Sequence, residues 1–287
     1  MSIKKADFIG GIYKVTRPEK PLPLVFDSPH SGREYPADFG HACAPALLTG
    51  AEDNHVDELF QDVPDHGGTL LCALFPRTYI DPNRALTDID TGLLAEKWPE
   101  AVTPTERAHA GNGLVRRLVR PGVPVYDRKL GNAEIQRRIE HYYRPYHEAL
   151  ARLLDEAHYN FGQVWHVDCH SMPSRAGFSG QPDFVIGDRD GASCHRAFTH
   201  AVRDALKGMG YRVAINNPYK GVEILSRCGD PARGRHSLQL EVGKALYWNE
   251  SQQKKTANFA ALQRDIGLLT ASIVRFIDSQ SASLAAD

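Results

Sequence analysis

The chain has 287 residues, 42% of them hydrophobic and 24% charged, with Lys+Arg at 34, Asp+Glu at 35 and a net charge of −1. That length buries a substantial core, and the near-zero charge excludes a global attraction to nucleic acid or to an anionic membrane. No apolar run approaches the roughly 20 residues of a membrane span, Asp7 and two glycines interrupt the region where a signal peptide is apolar, and the five cysteines are scattered without a C-x-x-C; the expectation is a reduced, cytoplasmic protein with neither a disulfide framework nor a thiolate zinc site.

Taken in chain order, short apolar runs bounded by Gly, Pro, Asp or Asn predict buried strands at 23–28, 69–74, 78–81, 164–168, 183–187, 211–215 and 237–242. Between them lie helical patterns. Over 133–160, Ile135, Ile139, Tyr142, Tyr146, Leu150, Leu153 and Leu154 recur at steps of three and four, an apolar stripe with charges opposite. Asn132 is a suitable N-cap, and Pro145 is expected to kink or divide the helix. Two further helices are predicted over 193–209 and 255–277, with a frayed tail after Asp278. Two stretches, 84–130 and 216–236, lack periodicity and are rich in Gly and Pro; such segments often form binding loops. With no shift in composition to mark a boundary, the reading is one domain over 1–287, an α/β sandwich with a largely parallel or mixed sheet.

Several of these strands run into polar residues at their C-terminal ends, the edge where open α/β sheets carry their sites. The 23–28 run enters Pro29-His30-Ser31-Gly32. An acidic cluster, Glu52-Asp53-Asn54-His55, follows some twenty residues later, where the ordinary reading is a helix N-terminus enriched in carboxylates. Asp81-Pro82-Asn83-Arg84 presents an amide beside a guanidinium, a group suited to carboxylates. Alternation along 164–170 puts His166, Asp168 and His170 on one face and Cys169 on the other. Glu241 lies inside an apolar strand, where a carboxylate is costly unless paired or functional; it is a candidate general base, or else it and Gln239 line a solvated face. Zinc in hydrolases takes three N/O ligands and leaves a position for water. His30, a carboxylate near residue 53 and His170 supply that number.

The segments Ser28-Pro-His-Ser-Gly32, Asp81-Pro-Asn-Arg84, Asp168-Cys-His-Ser-Met-Pro173 and Leu238-Gln-Leu-Glu-Val242, in this order, resemble the N-formylglutamate amidohydrolases of histidine degradation. The resemblance extends from about residue 8 to 275. It implies a three-layer α/β/α sandwich with a mixed, mostly parallel sheet, similar to the zinc carboxypeptidases. It implies metal binding by His30, Asp53 and His170, with Glu52 as a competitor of Asp53, and Glu241 as general base and acid. It implies that Asn83 and Arg84 clamp a substrate carboxylate.

The expected activity is therefore zinc-dependent hydrolysis of N-formyl-L-glutamate to formate and glutamate, with zinc or another divalent metal as cofactor and a small dicarboxylate as partner. A second cation is needed for the second carboxylate; Arg175 is the choice, with Arg128 and Arg235 as alternatives. Three rivals stay open: the same chemistry on another N-acyl amino acid or a peptide C-terminus, a metal-free enzyme using Cys169 beside His170, and a non-catalytic binding protein.

Overall fold

The structure is a computed structural model that describes residues 6–174 and 180–284. Its strands, in chain order, are β1 (Ala6–Ile9), β2 (Tyr13–Thr16), β3 (Leu24–Ser28), β4 (Thr69–Ala73), β5 (Leu118–Arg120), β6 (Val123–Pro124), β7 (Val164–Met172), β8 (Phe184–Gly187), β9 (Val213–Ile215), β10 (Arg235–Gly243), β11 (Trp248–Asn249) and β12 (Lys254–Lys255). Its α-helices are α1 (Pro45–Gly50), α2 (Val56–Leu59), α3 (Glu106–His109), α4 (Asn132–Arg138), α5 (Arg144–Phe161), α6 (Arg196–Gly208), α7 (Glu223–Cys228) and α8 (Phe259–Leu284).

Eight strands form one sheet in the order β1-β2-β4-β3-β7-β10-β8-β9. The four central strands β4, β3, β7 and β10 run parallel; β8 pairs antiparallel with β10, and β1 and β2 close the far edge as a hairpin. Period-two alternation divides the apolar side chains between the faces. Val25, Leu71 and Ala73 pack with Tyr146, Leu150 and Leu153 of α5. Leu24, Phe26, Leu70, Trp165, Val167, Leu238 and Leu240 pack with Phe198 and Val202 of α6 and Leu262, Ile266 and Leu269 of α8. Each buried Val, Leu, Ile or Phe among them contributes about 1.5–3 kcal/mol. The result is the expected α/β/α sandwich with a mixed, mostly parallel sheet.

On the α5 face the apolar layer ends at β7 and β10. There the sheet presents His166, Asp168, His170, Ser237, Gln239 and Glu241, all buried. This polar half-face of a central parallel pair is where the site is built.

Two expectations meet a different structure. Residues 78–81 are a turn, not a strand. Its N–H groups are used outside any ladder: Tyr79 N donates to Pro76 O at 2.9 Å and Asp81 N to Leu114 O at 2.8 Å. The 133–160 helix is divided, as expected, just ahead of Pro145. A π-helical turn over Ile139–Tyr143 joins α4 to α5, and Pro145 sits in the first turn of α5, where its missing N–H costs least. The N-cap position belongs to Gly131, while Asn132 is already helical and its Nδ2 donates to Lys97 O at 2.8 Å. The β1–β2 hairpin went unread because its strands are only four residues long; its turn places Gly11 at φ +73°, open to glycine at no steric cost.

Candidate metal and substrate site

The chain leaves β3 through Pro29-His30-Ser31-Gly32. A Cβ at Gly32 would lie 2.1 Å from Phe75 O, so no larger residue fits where this turn crosses the end of β4. Ser31 fastens the turn to the acidic segment. Its Oγ donates to Asp53 O at 3.0 Å and accepts from Asp57 N at 3.2 Å, while Asp53 N donates to His30 O at 3.1 Å. Asp53 is thereby delivered beside His30 although 23 positions separate them.

His170 reaches the same point from the C-terminal part of β7. Its ring centroid lies 4.6 Å from that of His30, and both Nδ1 atoms face Asp53 Oδ2, at 2.9 Å from His170 and 3.4 Å from His30. The far nitrogen of each ring is held by a carboxylate: His30 Nε2 by Asp81 Oδ1 at 2.7 Å, His170 Nε2 by Asp168 Oδ1 at 2.8 Å. Arg77 bridges the cluster, donating to Asp81 Oδ2 at 2.9 Å and to Asp53 Oδ1 at 3.3 Å.

These groups fit a metal ion. One atom each from His30, Asp53 and His170 lies within 4.8 Å of the others, and His30 Nδ1 is buried with no hydrogen-bond partner. A carboxylate on each outer Nε2 fixes the tautomer that leaves Nδ1 free to coordinate. Three N/O ligands leave further coordination positions for water and substrate.

The electrostatics favour positive charge at the centre. Burial opposes ionisation of Asp53, but the hydrogen bond from His170, the neighbouring His30 imidazole and the charge of Arg77 outweigh it and hold the carboxyl well below its ordinary range. Burial likewise opposes a proton on His170, yet Asp168 and Asp53 hold the imidazole well above its usual value. A cation between the carboxylates satisfies the same field that otherwise retains a proton. Glu241 stands beside His170 as its register partner on β10. Burial lifts its carboxyl to about 7, and its Oε1 accepts a 2.7 Å hydrogen bond from Gln239 Nε2.

The cluster opens into a cavity of about 640 Å³ whose lining includes Arg84, Arg107, Arg116, Gln239, Glu241 and Lys244. Two of its guanidiniums keep a buried Nε without a hydrogen-bond partner, those of Arg84 and Arg116. Burial lowers the pKa of Arg84 and pushes that of Arg116 down to about 9, with repulsion from Arg77 adding to it. Cations so placed gain most from an anionic ligand.

The sequence-derived candidates divide accordingly. His30, Asp53, His170, Arg84, Asn83 and Glu241 all line this cavity. Asn83, expected to clamp substrate, has its amide engaged: Oδ1 accepts from Ile224 N at 3.0 Å, and Nδ2 lies 3.4 Å from Asp168 Oδ2 and 3.1 Å from His170 Nε2. Glu52, the competing ligand, turns away from the imidazoles and accepts from Tyr35 OH. Arg175 lies outside the described residues. Arg128 and Arg235 point elsewhere, to Glu134 at 2.8 Å and Asp155 at 2.5 Å. His166 joins a separate buried chain, Nε2 to Asp27 Oδ1 at 2.9 Å and Nδ1 to Ser237 Oγ at 2.8 Å. Cys169 faces the apolar layer opposite the site, and burial holds its thiol well above the ordinary value, which leaves no thiolate for nucleophilic attack. Sequence reasoning missed Arg77, Arg107, Arg116 and Lys244; only the irregular character of 84–130 hinted at the middle two.

Known proteins resemble this chain in sequence and in fold. The family model described as N-formylglutamate amidohydrolase matches residues 22–248. The N-formylglutamate deformylase of Pseudomonas putida is 30% identical over 242 residues, covering 80% of this chain and 84% of that protein. The crystal structure of N-formylglutamate amidohydrolase from Ralstonia eutropha JMP134 superposes with a TM-score of 0.91 at 47% identity, over 94% of this chain and 99% of the other. The product of Atu2144 from Agrobacterium tumefaciens, at 19% identity and a TM-score of 0.64 over 92% of this chain and 95% of that one, shares the fold. The chain belongs to the N-formylglutamate amidohydrolase family.

Proposed function

We propose that the chain hydrolyses N-formyl-L-glutamate to formate and L-glutamate, with a divalent cation, zinc by preference, held by His30, Asp53 and His170. The observation that carries this reading is the convergence of two Nδ1 atoms and Asp53 Oδ2 beside Glu241, in a cavity that also holds two guanidiniums with unpartnered nitrogens. The mixed imidazole and carboxylate donor set suits zinc among the common metals. When bound, such a cation supplies Lewis acidity, polarising a carbonyl and acidifying water.

The chain's own groups supply the rest. Arg84 and Arg116 hold the two substrate carboxylates, and Arg107 adds positive charge to the same wall. Asn83 acts through Asp168, to whose Oδ2 its Nδ2 donates at 3.4 Å, rather than on substrate. Glu241 takes a proton from water as the water oxygen attacks the formyl carbon, then gives that proton to the amide nitrogen as the C–N bond breaks. Formate leaves with the water oxygen, and glutamate leaves as its amine. A cation nearby draws the Glu241 carboxyl back toward its ordinary range, so that it starts ionised at neutral pH.

The test is formate release from N-formyl-L-glutamate by purified protein, before and after chelation and after zinc is restored. N-acetylglutamate and N-formyl amino acids with one carboxylate serve as competitors. Turnover that survives thorough chelation would remove the metal from the reading; equal turnover of the monocarboxylates would remove the double clamp.

A further inference from the structure

Two residues before Glu241, on the same face of β10, Gln239 occupies a place the mechanism above leaves unused. It is 4% exposed, it lines the cavity, and its two amide ends are treated differently. Nε2 donates to Glu241 Oε1 at 2.7 Å. Oε1 is buried and has no hydrogen-bond partner. The orientation follows from the neighbour: an ionised carboxylate only accepts, so the NH₂ end must face it and the carbonyl end must face away. A buried carbonyl without a donor is costly, and such an atom in a cavity wall is a receptor for a donor that arrives with the ligand.

We propose that Gln239 Oε1 accepts the hydrogen bond of the scissile amide N–H. This deepens the N-formylglutamate reading and rests on it. N-formylglutamate offers a single N–H donor at neutral pH, on the atom that must be protonated. Alternation puts the two side chains on the same face of β10, with Cα atoms about 7 Å apart, and their hydrogen bond joins them into one unit. Glu241 delivers a proton to the nitrogen while Gln239 holds the hydrogen already there. The amide therefore cannot rotate its N–H toward the Glu241 carboxylate, which would occupy the base before water reaches it. During C–N cleavage the nitrogen becomes pyramidal, keeps its N–H on Gln239, and receives the Glu241 proton on its new lone pair. No atom beyond water and substrate enters the balance. Gln239 is thus both a substrate-contacting residue and a discriminator of amides from esters.

The experiment compares N-formyl-L-glutamate with the formyl ester of (S)-2-hydroxyglutarate, which has the same carboxylates and formyl group but an oxygen in place of N–H. Gln239→Met and Gln239→Leu are measured against wild type, after metal content and melting midpoint are matched. Loss of the Nε2 hydrogen bond to Glu241 lowers kcat for both substrates alike. Loss of the Oε1 acceptor lowers kcat/KM for the amide by about 10- to 100-fold beyond the loss for the ester. Equal losses on the two substrates would overturn the proposal, because a merely structural or Glu241-orienting residue produces them. Should neither variant fold, the wild type decides: a preference for the ester as large as its intrinsic lability overturns the proposal, and a preference for the amide supports it. Should the wild type release formate from neither compound, the hydrolase reading fails by itself, and the comparison passes to binding by calorimetry. The amide must then bind at least about tenfold more tightly than the ester, and equal affinities sink the role of Gln239.

Discussion

Glu241 is placed where water cannot stabilise its charge, and Gln239 fixes one of its oxygens. Glu241→Gln keeps the volume and removes the proton carrier. The expected outcome is a fall in kcat of about 10²- to 10⁴-fold with metal content and melting midpoint unchanged; turnover near that of wild type would take Glu241 out of the mechanism. Asp81 is a different case, since it touches His30 and Arg77 but reaches the cation only through the imidazole. Asp81→Asn is expected to weaken metal binding by about 10- to 100-fold, read by competition with a chromogenic chelator, with little loss of kcat at saturating zinc. The residues proposed to bind or react were legible because strand ends announce them: His30 and His170 each follow an apolar run, and Glu241 interrupts one. Arg77 and Arg116 gave no such sign. Their neighbours carry no period, and only the folded chain shows which of the 34 basic residues lose their water.

Among the elements, α5 links the core to the substrate wall. His147, on its first turns, lies 2.8 Å from Pro82 O through Nε2 and so supports the loop that carries Asn83 and Arg84. Burial, with the charge of Arg227 nearby, lowers its pKa from 6.5 to about 4. His236 is lowered to about 4 in the same way, by burial and then by His195. The unfolded chain takes up these protons below about 6.5 and the folded one only below about 4. Their contribution is therefore fully present above pH 6.5, is lost as pH falls toward 4, and falls no further beyond. About 1–2 kcal/mol per histidine is expected to disappear by pH 5. Urea midpoints at pH 7 and pH 5 check this: His147→Gln, which keeps the donor to Pro82, should show a smaller difference than wild type. Helix α5 was readable from its stripe of Ile, Tyr and Leu. The π-turn before it was not, because one extra residue in a turn leaves the apolar spacing almost unaltered. Residues 78–81 misled for a related reason: Thr, Tyr and Ile suit a strand, but their N–H groups are taken by a turn onto Pro76 O and by Leu114 O.

For the whole molecule, the proposed cation ties together three segments distant in sequence, at residues 30, 53 and 170. A ligand that binds only the folded state stabilises it by mass action, about 2.7 kcal/mol at a hundredfold excess over Kd. For a chain of this length that corresponds to about 4–5 °C. Chelation is thus expected to lower the melting midpoint by that amount and zinc to restore it; an unchanged midpoint would mean that the three side chains hold no ion. The sandwich was legible because apolar runs alternate with helical periods over most of the chain. One edge was not: β1 and β2 are four residues long, too short to stand out from loops, whereas β9 falls inside the run expected at 211–215; strand order is set by pairing across the fold rather than by any local pattern. No helix among the described residues is long and apolar enough to cross a membrane.

His170 and Glu241 face one another across the ladder between β7 and β10, in the middle of the sheet rather than on a loop. Amides in such strands exchange with solvent only when the molecule opens as a whole. The pairing of His170 with Glu241 should therefore persist on heating until the molecule unfolds as a whole, while activity can be lost earlier through His30, Asp53, Arg84 and Arg116, which sit outside the strands and helices. Loosening confined to the Gly- and Pro-rich loops would alter access to the cavity while leaving these two side chains in register.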